Sequence, residues 1–105
     1  MFKHIKPAQL KELIDNNSVK VVDIRDVNSY QVGHITDAEM LTNDNVTEFL
    51  SKTAPEDNVV VCCYHGNSSQ QAAHYLAEQG LKNVYSLDGG FEVWKVAFPE
   101  LVKGY

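Results

Sequence analysis

The sequence predicts an α/β fold, a parallel sheet covered by helices on both faces, and three observations carry that reading. Segments of strand and helix character alternate with short connections, the pattern of right-handed crossovers in a parallel sheet. Asn58-Val59-Val60-Val61-Cys62 is a continuous apolar run, as expected of a central strand packed between helices rather than one with a wet face. The size admits one core. The 105 residues, 44% hydrophobic and 22% charged, hide roughly two-thirds of their extended surface on folding, so one domain is expected over residues 1–105.

Each element has a local reason. Residues 7–16 read as a first helix, because Pro7 suits an initial helical position and Leu10, Leu13 and Ile14 form one apolar stripe. Val19 to Ile24 is a β-branched strand that stops at the charges Arg25 and Asp26. Residues 28–33 make a short helical turn closed by Gly33, Ala38 to Leu41 a weak strand, and residues 46–52 a second helix. After the central run, a polar turn from Cys63 to Ser68 leads into a helix with Ala72, Ala73, Leu76 and Ala77 on one stripe and Gly80 at its end. Val84 to Leu87 is the next strand. Gly89-Gly90 then opens a last helix that carries Phe91, Trp94 and Val96 and ends at Pro99.

Charge and composition exclude several functions. Nine Lys plus Arg stand against fourteen Asp plus Glu, a formal net charge of −5. Arg25 is the single arginine and the lysines are scattered, so no basic stripe invites a nucleic-acid backbone. No apolar run reaches the length a bilayer demands. Residues 1–7 lack the apolar stretch and cleavage site of a secretory signal, and the expected location is the cytoplasm. Cys62 and Cys63 are neighbours; a disulfide between them would close almost no loop and strain the backbone. Two sulfurs without a second pair also fall short of a zinc site.

In an open parallel sheet, ligands sit beyond the carboxyl ends of the strands. The segment placed there is Cys63-Tyr64-His65-Gly66-Asn67-Ser68-Ser69. A loop curled around its first residue points successive backbone N–H groups inward, and the helix that follows adds its unsatisfied amides and positive dipole end. The Cys63 sulfur would lie at that focus. An ordinary thiol is only about 3% ionised at pH 7, and a drop of roughly two units would make thiolate the main form. Gly66 supplies the positive φ such a loop needs. Ser68 or Ser69 is read as a cap of the helix. Cys62, one position earlier, points to the opposite face and packs as a small apolar group, with a resolving thiol as the alternative. A cysteine loop that cradles an anion also serves phosphatases, but there a C-x5-R pattern supplies an arginine clamp. Here the corresponding position is Ser69.

This loop, together with Asp23-Ile24-Arg25-Asp26, Gly33-His34-Ile35 and Asp88-Gly89-Gly90-Phe91-Glu92-Val93-Trp94, closely resembles the single-domain rhodaneses, in the family's order over almost the whole chain. The resemblance implies a five-stranded parallel sheet with helices on both faces and Cys63 as a persulfide-forming nucleophile. It also implies thiosulfate as sulfur donor, and cyanide or a dithiol protein as thiophilic acceptor, with no metal and no organic cofactor. The backbone amides of Tyr64, His65, Gly66, Asn67, Ser68 and Ser69 become the candidate substrate-binding groups. Two-domain rhodaneses carry basic side chains directly after the cysteine, where this chain has Tyr64 and His65. Loose donor binding, held mainly by the backbone, is therefore expected.

Other residues receive plainer readings. His65 either donates a hydrogen bond to the sulfur donor or shapes the loop. Arg25 pairs with Asp23, Asp26 or a nearby carbonyl, with contact to the substrate as the alternative. His34 is a turn residue, His4 and His74 are surface or packing residues, and Phe91 and Trp94 anchor the core. Gly89 and Gly90 let the last helix start tight against the sheet. Two rival functions remain open at this level, a binding or sulfur-carrier module and a phosphatase or arsenate reductase.

Overall fold

The computed structural model describes residues 1–104. Strands β1 (Lys3–Ile5), β2 (Lys20–Asp23), β4 (Glu39–Met40), β5 (Asn58–Cys62) and β6 (Asn83–Leu87) form one sheet in the order β1-β6-β5-β2-β4. Every pairing within it is parallel. The helices are α1 (Pro7–Asp15), α2 (Val27–Val32), α3 (Val46–Ser51), α4 (Ser68–Glu78) and α5 (Gly90–Ala97). β5 occupies the middle of the sheet, as its apolar run requires.

Side-chain alternation along β5 divides the core into two layers. Val60 and Cys62 point to a layer completed by Ile5, Leu10 of α1, Leu87, and Phe91 and Trp94 of α5. Val59 and Val61 point to the other, with Phe49 of α3 and Ala73 and Leu76 of α4. Burying an aliphatic side chain of this size stabilises by about 1.5–3 kcal/mol. Trp94, wholly buried, also donates its ring N–H to the Leu101 carbonyl at 3.3 Å. Pro7 begins α1, and Gln9 reaches back to accept from the Lys6 amide at 2.9 Å, a side-chain cap for a terminal donor.

Three details depart from the sequence reading. β1, a three-residue edge strand in register with Tyr85–Leu87 of β6, has no periodicity to betray it, and two of its three residues are exposed. Its single anchor is Ile5. His34 lies not in a turn but in β3 (His34–Ile35), which pairs antiparallel with β7 (Val102–Lys103) after the short 3-10 turn at Pro99–Leu101. Its ring stacks on Tyr30 with centroids 3.9 Å apart. Val96 is exposed, because α5 turns its Phe91–Trp94 stripe to the core and leaves the next face to solvent.

Candidate active site

The carboxyl ends of β2 and β5 meet at the centre of the sheet, with Asp23 in register with Cys62. Asp23 is fully buried and Arg25 nearly so. The Arg25 guanidinium grips the carboxylate at both ends, Nε to Oδ1 at 3.0 Å and Nη2 to Oδ2 at 2.8 Å, and Nη2 also donates to the Gly33 carbonyl at 2.7 Å. Its plane lies over the Phe91 ring, 4.2 Å from the centroid. Burial opposes the charge on Arg25, but the Asp23 carboxylate outweighs it and raises the guanidinium pKa. The chain's single arginine is thus spent on a buried pair, which removes it as an oxyanion clamp.

Cys63 follows β5 directly and is 3% exposed. Its sulfur receives the Gly66 amide at 3.1 Å and the Ser69 amide at 3.3 Å, and lies 3.2 Å from Ser69 Oγ. The His65 amide also bears on it. Burial pushes the Cys63 thiol up, but the Ser69 hydroxyl and the amides of Ser69, Gly66 and His65 together hold it below its ordinary value. The Cys62 thiol goes the other way: burial, then the Asp23 carboxylate, push it up against a weaker pull from Arg25. The two cysteines form no disulfide.

The loop presents its amides because something else takes its carbonyls. The Phe91 amide donates to the Cys63 carbonyl at 2.8 Å and the Glu92 amide to the Tyr64 carbonyl at 3.1 Å, so the first turn of α5 turns those oxygens outward. That approach depends on Gly90, where a Cβ would stand 2.5 Å from the Tyr64 carbonyl oxygen. Gly66 adopts φ +89°, and a Cβ there would meet the Gly89 nitrogen at 2.9 Å. Gln70 Nε2 donates to the Gly66 carbonyl at 2.9 Å.

Of the six candidate amides, those of His65, Gly66 and Ser69 act on the sulfur. Tyr64 contributes differently: its hydroxyl donates to Asp26, beside Ser29, across the loop. That bond, then those from Ser29, depress the Asp26 carboxyl far below its usual range. Asn67 and Ser68 open α4. The expected serine cap is not made. Ser69 sits fully buried one residue inside the helix, its hydroxyl between Cys63 Sγ and Ser86 Oγ, 2.7 Å from the latter. Ser86 was invisible to the sequence reading, although a serine at a position of β6 that alternation assigns to the core is a signal.

The loop stands between two grooves that share Arg25. One, of about 820 Å³, is lined by Leu41, Val46, Ser68, Ala72 and Tyr75; the other, of about 460 Å³, by Tyr64, Phe91 and Glu92. Among the described residues, no cluster of three His, Cys, Asp or Glu is placed to hold a metal ion, and no helix is long and apolar enough to cross a membrane.

A cysteine-bearing loop beyond the central strand of a 1-6-5-2-4 parallel sheet defines a class, and the family comparison agrees: the rhodanese-like domain model matches residues 6–97. The chain belongs to the rhodanese-like domain family. Among its relatives, a thiosulfate sulfurtransferase GlpE of Pseudoalteromonas translucida is 50% identical over 102 residues, covering 97% of each chain. The thiosulfate sulfurtransferase GlpE of Ectopseudomonas mendocina is 51% identical over 98 residues, covering 93% of this chain and 89% of the relative. The solution structure of a rhodanese-like domain from Anabaena superposes with a TM-score of 0.85 at 25% identity, covering all of this chain and 81% of that one.

Proposed function

We propose that this protein is a thiosulfate sulfurtransferase, residues 1–105 working as one rhodanese domain with Cys63 as the nucleophile. The observation that carries the reading is the Cys63 sulfur itself, buried at a strand end and supplied with main-chain N–H groups and the Ser69 hydroxyl. The names of the two relatives at about half identity support thiosulfate as donor.

The chemistry is two displacements at sulfur. The Cys63 thiolate attacks the outer sulfur of thiosulfate; a new S–S bond forms, the S–S bond of thiosulfate breaks, and sulfite leaves with the electron pair. The persulfide then yields its outer sulfur. Cyanide takes it as thiocyanate and returns the thiolate, or a dithiol protein takes it and is oxidised to a disulfide as hydrogen sulfide departs. Main-chain donors held by the fold are already oriented before the reaction, which is the advantage of fixed dipoles over solvent. No cofactor enters the scheme. Neither Tyr64 nor His65 adds a fixed cation at the sulfur, and the net charge of −5 repels a dianion, though screening over about 8 Å at physiological salt leaves the local amides in control. Weak donor binding follows. We place the reaction in the cytoplasm, where thiols stay reduced.

Intact-mass measurement after thiosulfate treatment tests the proposal. One added sulfur atom, mapped to Cys63 and removed by cyanide, is the expected result. An unchanged mass with hydrolysis of a phosphate ester overturns it in favour of phosphatase chemistry.

A further inference from the structure

Behind the reactive sulfur lies a second hydroxyl that the reaction scheme leaves idle. Ser86, on β6 in register with Val61 of β5, is fully buried and faces α4. Its Oγ is 2.7 Å from Ser69 Oγ, which is 3.2 Å from Cys63 Sγ. Among the described residues, Ser69 is the one hydrogen-bond partner of the Ser86 hydroxyl, and no buried side-chain N or O atom lacks a partner.

The directions of these bonds follow from counting hydrogens. A buried O–H without an acceptor costs its full desolvation. If Ser69 donated to Ser86, the Ser86 hydrogen would be stranded in the dry layer under α4. Ser86 must therefore donate to Ser69. The Cys63 thiol can itself donate to Ser69 Oγ, but the thiolate has no hydrogen to give, so in the anion the Ser69 hydrogen has the sulfur as its acceptor and the chain runs Ser86 to Ser69 to Cys63. The sulfur already receives the amides of Gly66 and Ser69, so a third donor favours the anion over the thiol.

We propose that Ser86 is a positioning residue for sulfur transfer: its hydroxyl commits Ser69 to donate toward Cys63, so that the reactive anion is stabilised from two shells away. Hydrogen bonds in such a chain also polarise one another, which strengthens the bond at the sulfur. The inference rests on Cys63 as the nucleophile, yet it concerns the ionisation of that sulfur and not the identity of the donor.

The experiment is the pH profile of Cys63 alkylation by iodoacetamide, read at Cys63 by fragment mass spectrometry, in wild type, Ser86→Ala, Ser69→Ala and the double variant. Thermal unfolding verifies that each is folded at the assay temperature. The other ionisable groups around the sulfur are the same in all four proteins: Cys62, Asp23 and Arg25 at the strand ends, Asp26 from α2, Tyr64 and His65 from the loop, Glu92 from α5 and Asp88 after β6. The first turn of α4 has none. Ser86→Ala should move the midpoint up by about half a unit, Ser69→Ala by more, and the double variant no further than Ser69→Ala alone. An unmoved midpoint in Ser86→Ala overturns the proposal. So does an equal shift from Ser86→Ala in the Ser69→Ala background, because Ser86 would then act through the fold and not through Ser69. If instead thiosulfate leaves no sulfur on wild-type Cys63, the sulfurtransferase reading falls while these profiles still decide the role of Ser86.

Discussion

Two cysteines one residue apart live in opposite chemical worlds. Cys62 closes β5 with its side chain among Val21, Val60 and Trp94, and burial raises its thiol pKa. Cys63 takes the other face, meets the amides of Gly66 and Ser69, and is held below the ordinary thiol value. Both are almost completely inaccessible, so exposure does not separate them. The difference is what surrounds each sulfur: an apolar layer with the Asp23 carboxylate beside it on one side of the sheet, oriented N–H and O–H groups on the other. Burial without donors suppresses a nucleophile, and burial with donors makes one.

The largest expected effect breaks the comparison outright. Cys63→Ser should reduce sulfite release from thiosulfate by at least about a thousandfold, whereas Cys62→Ser should keep turnover and lose about 1–3 kcal/mol of stability through a hydroxyl placed in the apolar layer. The reverse pattern in a sulfite assay would exchange the two roles. Arg25→Ala strands the Asp23 carboxylate beside Cys62 and should cost about 3–5 kcal/mol in denaturant unfolding; a loss below 1 kcal/mol would show that Asp23 finds another partner.

Gly66→Ala acts on the Cys63 side alone. Strain at φ +89° and the close Gly89 nitrogen should remove about 1–3 kcal/mol of stability, and displacement of the amide should slow turnover about tenfold or more. The two thiols also link stability to pH with opposite signs. Ionised Cys63 contributes stability that is complete above the ordinary thiol pKa of about 8.5 and is lost as pH falls through its lowered folded value. Neutral Cys62 contributes stability that is complete below about pH 8.5 and is lost as pH rises toward its raised folded value. Wild type should therefore lose stability relative to Cys62→Ala in alkaline solution and gain it relative to Cys63→Ala, as urea titrations at several pH values will show. Tyr64→Phe, which removes an exposed tie to Asp26, should change turnover by less than about threefold.

Much of this contrast is legible in the chain. The apolar run of β5 fixes the strand, period-two alternation sends Cys62 and Cys63 to opposite faces, and a glycine three residues on marks where the loop must bend. Arg25 follows from arithmetic, since a lone arginine beside two aspartates will pair with one of them. The serine cap is not made: local sequence shows that a hydroxyl is available at the start of α4 but not that Ser86 of β6 and Cys63 of the loop after β5 offer it other partners. The short pairings of β1 and of β3 with β7 carry too few residues for any periodicity. The role of Gly90 lies beyond local pattern altogether, because its neighbours, the carbonyls of Cys63 and Tyr64, come from a distant part of the chain.

That distant clamp sets an order of events during synthesis. The Cys63 and Tyr64 carbonyls are held by amides of Phe91 and Glu92, which leave the ribosome long after the cysteines do. A chain that has completed β5 and α4 still lacks the two amides that hold these carbonyls. The final shape of the cysteine loop therefore waits on the docking of the last helix.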